Sequence, residues 1–586
     1  MPRFIKYFAC LILCIAYLSI GLYNVGHVGL TNDEIAHIGA IQSYTQGDGL
    51  NPEHPIFIKT IAATVVKLRF PLLTGQSTDQ WGRGGEILFN GQYSPVDIIA
   101  TIRTVFLLTN MVFLVWIYVY VVFFREISWK MGLIAGIIFV FSPSLISHNY
   151  LVTFDVSGAI WLLMATLSVY FFFKNLHKEY ITTFRFKGQF LLVGLLVCAA
   201  WNTKFSNIVS VVPLLVLTTT STIYFFTKRD FTKLKWVIQF KAYIVSLMIF
   251  SIYFLYRYSF GSVGISSDEQ NIAIIKPLVG VIPKEFIHYI HGLNYILHRT
   301  SDGHLNFFGE QFTATRFPWF IARVFWFKEN PVLSVLVGSG TIYGLYKLIK
   351  NKTYKSYISN FQRYHLSWFV LSVPLLYTVV SFNSELTIGF RHFYAVLVFV
   401  YVGAILFVGH LFDHKKYIAQ MVLAVYVVFG LLSISQNISY VNVLWMQPKY
   451  SLANDSTLYW SQEQSGALQF LLEKGVTKYE NDDQVTFAVW TSQFFTPLKV
   501  NEELALLTNT QPNQWKTYTR NFDPTKQKIS EMREKYTVID IHFIQKIVGL
   551  KKENEIAEEN WKYIQNNKPI YTKNDVIWIY EKQTSF

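Results

Sequence analysis

Apolar residues along this chain fall in blocks near twenty residues long, separated by short Lys/Arg clusters or by long polar stretches. A helix rises about 1.5 Å per residue, so one such block crosses a hydrocarbon core about 30 Å thick. The pattern predicts spans near 4 to 22, 98 to 124, 131 to 148, 155 to 173, 189 to 203, 206 to 226, 236 to 257, 331 to 349, 366 to 382, 391 to 412 and 417 to 436, about eleven in all. The first block follows Arg3 and Lys6 as a secretory signal would. It is long, however, and lacks a small-x-small cleavage site, so it reads as a membrane anchor.

Beyond residue 440 the pattern changes. Strand-like alternation appears at 485 to 490, 536 to 541 and 575 to 580, with helical periodicity at 464 to 474 and 553 to 565. The fold class expected is therefore an α-helical polytopic membrane protein with a small C-terminal extracytoplasmic α/β domain. The membrane part is residues 1 to 439, with outer loops at about 23 to 97 and 258 to 330, and the α/β domain is residues 440 to 586.

Composition agrees with this reading: 15% of residues are charged, against roughly 25% in soluble domains. A net charge of +14 would suggest a nucleic-acid partner in a soluble chain. The location of the charge removes that partner. With the N-terminus cytoplasmic, the inner turns hold twenty basic residues, Arg125, Lys187, Lys228, Arg229 and Lys416 among them, against four acids, Glu126, Glu179, Asp230 and Asp413. An odd number of spans then puts the C-terminus and the three large polar segments outside a plasma (inner) membrane. Cys10, Cys14 and Cys198 lie in apolar runs and make no disulfide framework or thiol metal site.

Polar residues gather at the predicted outer ends of the spans. Thr31-Asn-Asp33-Glu34-Ile-Ala-His37 opens an amphipathic stretch, and Thr31 with Glu34 has the spacing of a capping box. Asn51-Pro-Glu53-His54-Pro-Ile-Phe-Ile-Lys59 begins another helix suited to the membrane interface. His148, Asp155, Lys204, Arg391 and His392 sit at span ends, where the ordinary role of an ionisable group is to reach the interface. Lys204 and Arg391 stand apart because they lie on the side where basic residues are depleted, which an anionic partner explains. The second loop adds Ser301-Asp-Gly-His304, Glu310, Phe317-Pro-Trp-Phe320 and Lys328. Nucleotide-binding glycine loops, HExxH and GxSxG are absent.

In their order along the chain these pieces resemble the GT-C glycosyltransferases. The nearer likeness is to the protein O-mannosyltransferases and the lipid A aminoarabinose transferases. The matching segments are Asn32-Asp33-Glu34-Ile-Ala-His37, Pro52-Glu-His54-Pro-Ile-Phe-Ile-Lys59, Thr153-Phe-Asp155-Val, Asn202-Thr-Lys204-Phe-Ser, Phe327-Lys328-Glu-Asn-Pro331 and Gly389-Phe-Arg391-His392. Asp455-Ser-Thr-Leu-Tyr-Trp460-Ser-Gln462 looks like the start of the outer domain in bacterial members. Ser157 and Tyr394-Ala395 stand where such proteins often carry proline.

The resemblance implies transfer of a sugar from a polyprenyl-phosphate donor to a protein, lipid or glycan hydroxyl outside the membrane. It implies Asp33 as catalytic base with Glu34 beside it, Lys59, Lys204 and Arg391 on the donor phosphate, and His37, His54, Asp155, His392 and Lys328 positioning substrate. No cofactor is required. The ligand types of Asp33, His37, Glu53 and His54 allow a divalent cation, but no spacing demands one. The rival reading, a transporter or flippase for a lipid-linked or anionic solute, calls for ionisable residues at the bilayer midplane and an internal repeat, and neither is seen in the sequence.

Overall fold

The structure is a computed structural model that describes residues 3–50, 53–89, 93–176, 184–261, 263–265, 271–299, 306–313, 320–350, 361–382, 389–452, 457–475, 485–488, 504, 507–508, 523–532 and 534–582. The chain is a polytopic helical membrane protein. Helix α1 (Arg3–His27) crosses first and is followed by three shorter helices, α2 (Asn32–Gln46), α3 (Phe57–Arg69) and α4 (Gln80–Phe89). The bundle continues with α5 (Pro95–Val119), α6 (Trp129–Val140), α7 (Pro143–His148), α8 (Asp155–Leu176), α9 (Phe184–Trp201), α10 (Val211–Thr227) and α11 (Phe231–Ser259). Next come α12 (Lys284–Arg299), α13 (Phe320–Lys328), α14 (Pro331–Lys350), α15 (Phe361–Phe382), α16 (Tyr394–His414) and α17 (Lys416–Ser433).

Among the described residues nine helices are long and apolar enough to cross a membrane, and the other two predicted spans fall on the shorter apolar helices Trp129–Val140 and Pro331–Tyr346. The span expected at 131 to 148 is broken. Pro143 cannot donate a backbone hydrogen bond, and Ser142 caps the new helix by accepting the Leu145 N–H at 3.3 Å. Helix α8 is the most enclosed span and packs on α5, α9, α15 and α16. By contrast α11 presents Ile238, Val245, Ile249 and Phe254 outward, as a lipid-facing helix does.

The first loop folds over the end of this bundle. Helices α2 and α4 touch backbone to backbone, which requires Gly39 and Gly84: a Cβ on Gly84 would lie 2.0 Å from the Ile35 carbonyl. Gly47, at φ 78°, ends α2 in the left-handed conformation that favours glycine.

The second loop forms a hairpin, β1 (Asn306–Phe308) and β2 (Gln311–Thr313), and the C-terminal part contains α18 (Gln464–Glu473), α19 (Ile541–Leu550) and α20 (Glu555–Asn566). Its sheet comprises β3 (Val485–Ala488), β4 (Tyr536–Asp540), β5 (Tyr571–Lys573) and β6 (Ile577–Glu581), in the order β3-β4-β6-β5 with β3 and β4 parallel. The predicted strands at 485, 536 and 575 appear, except that residues 489 and 490 lie outside the described set. The second strand ends sooner than expected because the Asp540 carboxylate accepts the Phe543 N–H at 2.9 Å and so begins α19. One apolar cluster runs from the spans through Tyr459 and Trp460 to Val538 and Ile577, so the C-terminal part shares the membrane part's core.

Candidate active site at the loop-bearing end

Asp33 stands in the first turn of α2, where a carboxylate faces the helix's positive end. What fixes this turn is Glu34. Its carboxylate accepts the Thr31 N–H at 2.9 Å and the Thr31 hydroxyl at 3.0 Å. From α5, Arg103 grips the same group with Nε at 2.9 Å and Nη2 at 2.6 Å, and the Val152 N–H adds a bond at 3.1 Å. Arg103 also donates to the carbonyls of Val28 at 2.7 Å and Gly29 at 2.8 Å. Burial pushes the Glu34 carboxyl up, but the charge and hydrogen bonds of Arg103, with those of Thr31 and Val152, outweigh it and hold the group below its ordinary range. This corrects one expectation. Glu34 is 0% exposed and fully engaged, whereas the Asp33 side chain is 31% exposed, so Glu34 is the anchor of the turn and Asp33 the accessible acid.

Asp33 meets Arg391 from a distant segment, and Arg391 links it to Asp155 and Lys204 from two more. Arg391, in the short turn Phe390–Phe393 before α16, donates from Nη2 to its Oδ2 at 3.0 Å. The Nε of Arg391 lies 3.8 Å from Asp155 Oδ2 at the start of α8, and Lys204, just after α9, donates to Asp155 Oδ1 at 2.6 Å. Burial pushes the Lys204 ammonium down, but the Asp155 charge outweighs it and holds the group above its ordinary value. The guanidinium of Arg391 lies 3.8 Å from the centre of the Trp460 ring, which is fully buried. Two carboxylates and two cations thus share one site, and the chain separation between Asp33 and Arg391 is 358 residues.

A second layer lies along the same edge. His37 is one helical turn beyond Asp33, and its ring centre is 5.8 Å from that of His54 and 5.1 Å from that of Phe154. Lys59 is fully buried, donates to the Tyr44 hydroxyl at 3.1 Å and the His54 carbonyl at 3.3 Å, and sits 5.2 Å from the Phe154 ring. Burial pushes its ammonium down to about 7. Loss of water, and then the charge of Lys59, keep the His54 imidazole well below its ordinary value.

Other expected residues border this cluster with partners of their own. Lys328 is buried and donates to the carbonyls of Ile438 and of Tyr440, the latter at 2.9 Å, so it ties α13 to the segment of chain leaving α17. Half-buried His392 accepts the Tyr377 hydroxyl on its carbonyl at 3.3 Å. His148 meets the Tyr394 hydroxyl at 2.9 Å. Residues 301 to 304, 317 to 319 and 455 lie outside the described residues. Among the described residues no three His, Cys, Asp or Glu side chains gather to hold a metal ion, so Asp33, His37, Glu53 and His54 do not form the cation site their ligand types allow. The sequence patterns assign Arg103 and Trp460 no role in the site. Arg103 had a signal, a lone arginine inside an apolar run.

No protein-family model and no curated protein matches the chain. Among solved structures it is similar to the archaeal oligosaccharyltransferase AglB from Archaeoglobus fulgidus in complex with an inhibitory peptide and a dolichol-phosphate. That likeness has 11% identity and a TM-score of 0.47 over 100% of this chain and 75% of that one. It is similar to ArnT from Cupriavidus metallidurans bound to undecaprenyl phosphate at 10% identity and a TM-score of 0.43, over 98% of each chain. It is also similar to the S. cerevisiae protein O-mannosyltransferase Pmt1-Pmt2 complex bound to the sugar donor, at 16% identity and a TM-score of 0.35 over 46% of this chain and 36% of that one. At such scores what the chain does must be read from its own side chains.

Proposed function

We propose that the protein is a membrane glycosyltransferase of an inner membrane that moves a sugar, a hexose such as mannose or a related one, from a polyprenyl phosphate to a hydroxyl of a protein, lipid or cell-envelope glycan. The observation that carries this reading is an accessible carboxylate, Asp33, held 3.0 Å from a guanidinium that shares Asp155 with the Lys204 ammonium, at the end of a membrane bundle. Inverting transfer needs these parts. As the acceptor oxygen attacks the anomeric carbon, Asp33 takes its proton, the bond from carbon to phosphate oxygen breaks, and the lipid phosphate leaves with both electrons of that bond. Arg391 and Lys204 neutralise its charge, Asp155 holds those two cations in place when the site is empty, and His37, His54 and Lys59 form the wall behind.

The test is transfer of label from a panel of purified polyprenyl-phosphate sugars to membrane extract, with the parent and with Asp33→Asn. Asparagine caps a helix about as well as aspartate but accepts no proton, so turnover should fall roughly a hundredfold or more while folding is kept. An Asp33→Asn protein that works within a few fold of the parent sinks the reading.

A further inference from the structure

Trp460 belongs to the C-terminal part, yet it touches both halves of the site. Its ring lies 3.8 Å from the Arg391 guanidinium carbon, and its carbonyl accepts the N–H of Asn32, the residue before Asp33, at 3.2 Å. The turn that carries it is held from three directions. Gln462 accepts the Trp460 N–H at 2.5 Å and donates to the Ser439 hydroxyl at 3.0 Å. The Ser461 hydroxyl donates to the Leu30 carbonyl at 3.2 Å, just ahead of α2. Glu463 accepts from Ser439 at 3.2 Å and from Asn574, in the β5–β6 turn, at 2.8 Å. Ser461 has φ 66°, a left-handed conformation that a serine keeps only where its surroundings over-determine it.

We infer that Trp460 is a positioning residue for the proposed transfer: its ring orients Arg391 toward Asp33 and the leaving phosphate, and its carbonyl sets the start of the helix that presents Asp33. The C-terminal part thereby completes the catalytic geometry. The reason is physical. An arginine bound to one carboxylate at 3.0 Å and another at 3.8 Å has a rotatable stem, and an indole face restrains the guanidinium plane through the ring's quadrupole without competing for its N–H groups. A carboxylate in that place would neutralise the charge the phosphate needs.

The inference rests on the proposed transfer, and the experiment separates the two. Tryptophan with one to four ring fluorines is placed at position 460 by nonsense suppression, which drains the ring's quadrupole while nearly keeping its shape. Donor kcat/KM should fall stepwise, about tenfold or more over the series, with the melting temperature unchanged. Trp460→Phe should lie between parent and the most fluorinated ring, and Trp460→Leu below both. A series flat within twofold, in an enzyme whose Asp33→Asn variant is dead, overturns the role of Trp460 alone. A parent that uses no lipid-phosphate sugar in the panel overturns the transfer itself and this inference with it.

Discussion

At the scale of single residues, the question is which cations would act on the proposed donor. Lys204 and Arg391 were legible in the sequence because they break the charge asymmetry of the chain, and they come together on Asp155. Losing a charge-assisted contact to phosphate costs on the order of 1.5 to 3 kcal/mol, about tenfold or more. Arg391→Lys should show that loss in donor kcat/KM despite keeping its charge, since lysine has no planar fork to span Asp33 and the phosphate and stacks less well on Trp460. Donor kinetics equal to the parent's would remove Arg391 from the phosphate. Lys59 behaves differently because burial places its ammonium near 7. Below that pH it is charged and draws an anion toward the wall; above it the charge is lost. Donor KM should therefore rise as pH climbs through about 7, and Lys59→Met should flatten that rise. His37, His54, Glu53, Lys204 and Asp155 surround the same wall, and a rise that persists unchanged in Lys59→Met would show that Lys59 is not its source. Trp460 was legible only as a motif. Its role depends on a contact to Arg391 that no local pattern encodes.

At the scale of elements, the N-terminus of α2 is where sequence and fold agree in form and differ in meaning. The capping-box spacing of Thr31 and Glu34 predicts a helix start, and the Glu34 half of that box is made. Local spacing could not show that Arg103, 69 residues away, turns a surface cap into a buried ion pair. Removing one partner of such a pair leaves an uncompensated charge and costs roughly 3 to 5 kcal/mol. Glu34→Gln should therefore lower the melting temperature and lose activity through misplacement of Asp33. The double replacement Glu34→Met with Arg103→Met should recover much of the stability. A melting temperature unchanged in Glu34→Gln would show that the pair holds nothing. The pH sense follows from the lowered carboxyl: its stabilisation is present above the ordinary glutamate value of about 4.3 and is lost as pH falls through the depressed value in the folded protein. Elsewhere the helices were legible from twenty-residue periodicity. Among the misses are a proline break at Pro143 inside an apolar run and helix α19, whose apolar start reads on from β4 until Asp540 caps it.

At the scale of the whole molecule, the bundle has two unlike ends. Arg125, Lys228, Arg229, Lys415 and Lys416 lie at turns of one end, while Asp33, Asp155, Lys204 and Arg391 converge at the other. Positive charge near spans is retained on the cytoplasmic side, so the expected orientation has the end with the site facing out, where the proposed lipid-linked donor would display its headgroup. Helix α17 joins the two ends and offers a direct test. Tyr417, at its start beside Lys416, is 83% exposed, and Met446, in the chain beyond its far end, is 94% exposed. In a background with Cys10, Cys14 and Cys198 changed to alanine, Met446→Cys should react with a membrane-impermeant maleimide on intact protoplasts. Tyr417→Cys should react only after the membrane is opened. The reverse pattern would place the site in the cytoplasm, where an anionic lipid headgroup would have to be drawn from the inner leaflet, and the proposed donor side would be wrong. Because the two positions flank one span, a single crossing of α17 decides the orientation of Asp33, Arg391 and Trp460 together.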